Sequence, residues 1–258
     1  MPTFDSHDGL EINYIDEGAG EPIVLVHGFA SSLHGNWRAP GIVDALVADG
    51  RRVVALDCRG HGRSGKPHDP AAYGGSSMGD DVIALMDHLG IAKSDLMGYS
   101  MGGFISASLL AGHPERFRSA ILSGVGGGVL NREGLGRERS ESIARALESS
   151  DGGRSEDASA RGFRAFAEQN GNDLGALAAL QRSNRHQFDS SRLRDLRMPV
   201  MVLVGEKDDL AATADALANA IPGARLVKVP GDHLTAVGTP EFRAAVVSFL
   251  REASGARA

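Results

Sequence analysis

Short apolar runs without polar alternation recur along this chain, separated by longer stretches of helical periodicity, and that rhythm restricts the fold more than anything else in it. The β-type runs are residues 23–26, 52–56, 94–97, 119–122, 199–204 and 225–229. The helical stretches are residues 42–48, 78–89, 101–111, 211–220 and 241–252. Strands that lack polar alternation suit a sheet covered on both faces, so the pattern predicts an α/β fold: a mostly parallel, twisted sheet with helices on both sides. Residues 3–5 and 11–15 read as an added antiparallel hairpin turning at Asp8-Gly9.

One segment breaks the rhythm. Residues 129–197 contain no convincing strand but twelve arginines, many acids and a loose Gly/Ser/Asp stretch around 149–155. Phe163, Phe166, Leu174, Leu177 and Leu180 recur there at helical spacing. The segment is expected to be a helical insertion across the C-terminal edge of the sheet. Its apolar residues are expected to pack helix on helix, with some also lining a substrate pocket, and its mixed charges to form a solvated face.

The whole-chain numbers narrow the function classes. A net charge of −6, spread rather than blocked, argues against nucleic acid or an anionic membrane as partner. A single cysteine, Cys58, permits no intramolecular disulfide and fits a reducing compartment. Residues 1–8 have neither a basic start nor an apolar core of a secretory signal, and no run of about 18 apolar residues occurs. No Cys/His cluster has zinc spacing. The expectation is a soluble, metal-free, cytoplasmic protein.

The chemistry is carried by Gly98-Tyr99-Ser100-Met101-Gly102, a G-x-S-x-G motif between an apolar run and a helical one. A sharp strand-to-helix turn exposes the serine hydroxyl, and the flanking glycines leave room for the bend. A nucleophilic serine also needs oxyanion donors and a base. The backbone N–H of Phe29, in the loop His27-Gly28-Phe29 after the run 23–26, is one candidate donor, and that of Met101, opening the helix after Ser100, is the other. His27 itself precedes the glycine turn and is read as bracing this loop. The base is expected on a late loop, where Pro230-Gly231-Asp232-His233 follows a strand and precedes the last helix; His233 is the candidate. An acid must orient it. The loop 123–128 has no carboxylate, whereas Gly205-Glu206-Lys207-Asp208-Asp209 offers Asp208 first, then Asp209 and Glu206. Asp232 adjoins His233 on the chain and is expected to point away from it.

These residues resemble those of the alpha/beta-hydrolase superfamily over about residues 10–250, with the nucleophile–acid–base order Ser100, Asp208, His233. Asp57-Cys58-Arg59-Gly60-His61-Gly62-Arg63-Ser64 is similar to the family's D-x-R-G-x-G-x-S turn, whose role there is mostly structural. The spacing Gly205-x-x-Asp208 favours Asp208 as the acid. Asp232 departs from the family, where glycine often precedes the histidine. The resemblance implies a hydrolase core of residues 1–128 and 198–258 with a helical cap at 129–197, and Phe163, Phe166 and Leu234 as candidate pocket residues. It implies no metal and no organic cofactor, and a small-molecule acyl substrate. A serine at the elbow argues against dehalogenases and epoxide hydrolases, which place aspartate there. The expected activity is hydrolysis of a small to medium carboxylic ester or lactone. The alternatives are a slowly turning receptor-like relative, an acyltransferase and a carbon–carbon bond hydrolase.

Overall fold

The computed structural model describes residues 1–130, 136–149, 157–184 and 188–255. The strands are β1 (Thr3–Asp5), β2 (Glu11–Glu17), β3 (Pro22–Val26), β4 (Arg52–Leu56), β5 (Ser94–Tyr99), β6 (Phe117–Ser123), β7 (Val200–Gly205) and β8 (Arg225–Val229). They form one sheet in the order β1-β2-β4-β3-β5-β6-β7-β8. β1 and β2 are the antiparallel hairpin, and β2 also runs antiparallel to β4; every other pair is parallel.

Successive side chains on a strand point to opposite faces, so each uniformly apolar strand feeds two cores. Val24 and Val26, with Leu96, Leu122 and Val202, pack under α2 (Ser77–His88), α3 (Met101–Gly112) and α7 (Ala214–Ala220). Ile23 and Leu25, with Met97, Ile121 and Leu203, pack under α1 (Ile42–Ala48) and α8 (Pro240–Gly255). Each fully buried Leu, Ile or Phe in these layers contributes roughly 1.5–3 kcal/mol. The protein is therefore an α/β sandwich with its parallel strands all ending on one side.

Between β6 and β7 lie α4 (Arg137–Glu148), α5 (Ala158–Gln169) and α6 (Leu174–Arg182), and no strand occurs among the described residues of 129–197. Ile143, Ala144, Leu147, Ala160, Ala167, Leu177 and Ala178 form a small core of their own, which also takes in Ala30 from the loop after β3. The arginines pair locally: Arg182 bridges Glu141 and Glu148, and Arg164 pairs with Glu168. Such exposed pairs add little stability each. Of the Gly/Ser/Asp stretch, residues 150–155 lie outside the described residues.

Three local features differ from the sequence reading. The run 225–229 is not covered on both faces: β8 is an edge strand with Arg225 and Lys228 exposed, an arrangement that blunts an open edge. The helical stretch 211–220 is broken into a 3₁₀ turn (Asp209–Ala211) and α7, because the Asp208 carboxylate caps the turn and Thr213 is diverted to the Gly127 amide. A single π turn, His34–Arg38, follows the β3 loop and places Asn36 and Trp37 in the interior.

Candidate active site

Ser100 is the only residue between β5 and α3, and it sits at φ 53°, ψ −113°. A non-glycine residue in such a conformation costs about 1–3 kcal/mol, which the surrounding packing must offset. The packing is tight enough to do so. A Cβ on Gly102 would lie 1.9 Å from the Val26 carbonyl oxygen, and one on Gly98 would lie 2.1 Å from that of Gly102. The Ser100 amide donates to the Ser123 carbonyl at 2.8 Å, fixing the turn to β6.

The Ser100 hydroxyl lies 2.9 Å from His233 Nε2, and His233 Nδ1 lies 2.9 Å from each Asp208 carboxylate oxygen. With Asp208 accepting at Nδ1, the proton sits there and leaves Nε2 free to accept from the serine. Asp208 is buried, and its Oδ1 also accepts the amides of Leu210 and Ala211, each at 3.1 Å. Asp209 and Glu206, the other acids of that loop, are exposed. Asp232 is turned away from the imidazole: its Oδ1 accepts the Leu234 amide and both the amide and hydroxyl of Thr235. Those bonds, Thr235 foremost, hold its carboxyl below the usual carboxylate range.

The loop after β3 presses on the elbow. A Cβ on Gly28 would lie 3.4 Å from that of Ser100. The Gly28 amide donates to Asn36 Oδ1 at 2.7 Å, and the Ala30 amide donates to His61 Nε2 at 3.1 Å. His27 Nδ1 donates to the Gly28 carbonyl and its Nε2 accepts the Cys58 amide, so it braces the loop and has no free nitrogen for catalysis. His61 is wired in the same way, its Nδ1 donating to the Arg59 carbonyl. Both histidines must be neutral to accept an amide, and burial pushes His27 down to about 4 and His61 down to about 3. Neither the Phe29 nor the Met101 amide has an acceptor among the described residues. Phe29 follows Gly28, which packs on Ser100, and Met101 follows Ser100 in the first turn of α3, where no intrahelical acceptor exists.

The turn 57–64 serves the same loop. Asp57 accepts the Leu33 amide at 2.8 Å, and Arg59 makes a buried bidentate pair with Asp81 at 2.8 and 2.7 Å. His7, Asp8 and Asp81 are the one metal-like grouping among the described residues, and Arg59 already pairs with both carboxylates. Of the residues expected to line a pocket, Phe163 packs edge-on against Phe29 with ring centroids 5.7 Å apart, and Phe166 joins the same cluster. Leu234 instead stands 63% exposed on the histidine loop. His61 and Tyr99 lie inside motifs that the sequence shows, but neither they nor Asn36 are marked there for these bonds, which reach residues 8 to 134 positions away along the chain.

A family profile described as the alpha/beta hydrolase fold matches residues 21–139. The chain is similar to a hydrolase from Pseudomonas aeruginosa, with a TM-score of 0.79 and 27% identity over 96% of this chain and 97% of that one. It is similar to the enol-lactonase of Burkholderia xenovorans, with a TM-score of 0.72 and 26% identity over 97% of this chain and all of that one. A 2-hydroxymuconate semialdehyde hydrolase from a Pseudomonas strain is 38% identical over 121 residues, 46% of this chain. That match spans only 41% of the relative's own length. The sheet order, the elbow and the profile agree, and the chain has the alpha/beta hydrolase fold.

Proposed function

We propose that this protein is a serine hydrolase that cleaves a small to medium carboxylic ester or lactone through an acyl-enzyme on Ser100. The observation that carries the reading is the unbroken hydrogen-bond chain from Asp208 through His233 to the Ser100 hydroxyl. A serine hydroxyl does not ionise near neutral pH, so His233 Nε2 takes its proton as Oγ attacks the acyl carbonyl. Asp208 stabilises the imidazolium that results. The Phe29 and Met101 amides receive the oxyanion, a term worth a few kcal/mol per donor. His233 then protonates the departing alcohol, activates a water and releases the acid. These steps call on no metal and no organic cofactor. Residues 129–197 act as a cap in this reading, and the substrate's apolar part rests against Phe29 and Phe163.

The semialdehyde in one relative's name is not an ester, which keeps carbon–carbon bond hydrolysis as the second reading. A panel of chromogenic esters and lactones of rising chain length separates the two. Turnover that disappears in Ser100→Ala, with Ser100 labelled by a fluorophosphonate, supports the ester reading. Binding of every ester without turnover would overturn it. Labelling that survives unchanged in His233→Ala would remove His233 as the base.

A further inference from the structure

Ala30 follows the proposed oxyanion residue Phe29, is fully buried and has φ 57°, a left-handed conformation unusual for a residue with a Cβ. Something must hold it there, and two groups do so from opposite directions. From the core, His61 Nε2 accepts its amide at 3.1 Å. From the insertion, Asn172 Nδ2 donates to its carbonyl at 2.7 Å. The Phe29 ring is gripped in the same way, edge-on to His61 at 5.9 Å and to Phe163 at 5.7 Å.

Asn172 is itself set firmly. Gly171, at φ 64°, ends α5; its amide bonds the Glu168 carbonyl, and the Asn172 amide bonds that of Ala167. This paired closure fixes the backbone on which the Asn172 side chain stands. The next residue, Asp173, caps α6 through the Ala176 amide and pairs with His68 at 2.9 Å. The α5–α6 turn therefore rests on the core at two points, one of them the oxyanion loop.

We propose that Asn172 is a positioning residue for the oxyanion hole: its bond to the Ala30 carbonyl sets the direction of the Phe29 amide, and so makes that donor depend on how the α5–α6 turn is seated. The proposal rests on the reading of Phe29 as an oxyanion donor. Its consequence is that a substrate group pressing on Phe163 or on the α5–α6 turn is felt in the chemical step and not only in binding.

The test compares wild type with Asn172→Ala and with Asn172→Asp, which keeps the shape and removes the N–H donors. Two readouts are used: kinetics on a short-chain p-nitrophenyl ester, and affinity for an alkylboronic acid. The boronic acid bonds Ser100 Oγ and places an oxygen where the oxyanion forms. The expected result is a roughly tenfold lower kcat, a KM within about twofold and a parallel loss of boronate affinity, beside the fall in melting temperature that an unpaired buried carbonyl brings. A merely structural role would move the melting temperature, or KM, and leave kcat in place. Unchanged kcat and boronate affinity in both folded variants, or a loss confined to KM, would overturn the proposal. A wild type that binds boronate but cleaves no ester overturns the ester reading alone, and the ratio of boronate affinities still decides the role of Asn172.

Discussion

The Tyr99 hydroxyl donates to the main-chain carbonyl of His233 at 2.8 Å, so the residue before the proposed nucleophile holds the loop that carries the proposed base. The two rings also face each other at 5.6 Å. Tyr99 is buried, and burial pushes its phenol well above the ordinary tyrosine range, which keeps it a donor.

Tyr99→Phe removes that donor and leaves the His233 carbonyl without its partner, at a cost of about 1–3 kcal/mol. The expected outcome is a lower melting temperature together with a fall in kcat on the order of threefold to tenfold as His233 loses its register. Steady-state kinetics and thermal melts on one preparation check both parts. A full kcat would show that the imidazole is held by Asp208 alone.

Ser100→Gly relieves a backbone conformation that only glycine adopts freely, whereas Ser100→Ala keeps it. Both variants are expected to lose ester turnover, but the glycine variant gains on the order of 1 kcal/mol over the alanine variant. Urea unfolding of the pair reads the difference directly, and equal midpoints would count against stored strain at the elbow.

Asp208 has two duties, orienting His233 and capping the turn that follows it. Asp208→Asn can keep the cap through its remaining oxygen but presents the wrong group to Nδ1. It is expected to lose about 10⁴-fold in kcat with little loss of stability. Asp208→Ala loses both, with roughly 1 kcal/mol of stability gone in addition. A melting temperature that falls equally in the two variants would argue against the cap.

The buried histidines make stability depend on pH. In the unfolded chain a histidine titrates near 6.5. Burial holds His27 down to about 4 and His61 down to about 3, so below about 6.5 the unfolded chain binds more protons than the folded one. Their contribution is complete above that point and is lost progressively as pH falls toward 4 and then 3. Each steepens the loss by up to about 1.4 kcal/mol per pH unit. Urea midpoints at pH 7, 5.5 and 4.5 are expected to drop, and His61→Gln to drop less steeply. A flat wild-type profile would contradict neutral burial of the pair.

The residues proposed to carry the chemistry announce themselves in short motifs, which is why the elbow, the late histidine and the acid loop are legible in the sequence. Ser100, Asp208 and His233 each follow a strand whose apolar run is plain, and parallel strands deliver their trailing loops to one edge. The apolar runs also mark each strand to within two residues at either end, β8 included; the edge position of β8 is not legible, because strand composition does not say which strand is last. The supports of the loop that carries Phe29 are not legible in the sequence. His61 acts on Ala30, 31 residues away, and Asn172 on the same residue across 142. His61 sits in the 57–64 turn that the sequence shows, but nothing there says which residue it holds, and nothing near Asn172 sets it apart from an ordinary loop asparagine. Ala30 also adopts a left-handed turn without the glycine that would have signalled it.

The exposed edge has a consequence for how this protein fails. Ser100 stands at the end of β5, which has strands on either side, while His233 hangs from the loop after β8, whose outer side pairs with no strand among the described residues. Stability is uneven within a fold, and edges open before centres. Mild denaturant should peel the base away while the elbow and the central strands still stand, so turnover is expected to vanish before the far-ultraviolet signal changes. The reversible, inactive species left behind would be a folded protein with an intact serine and no partner for its proton.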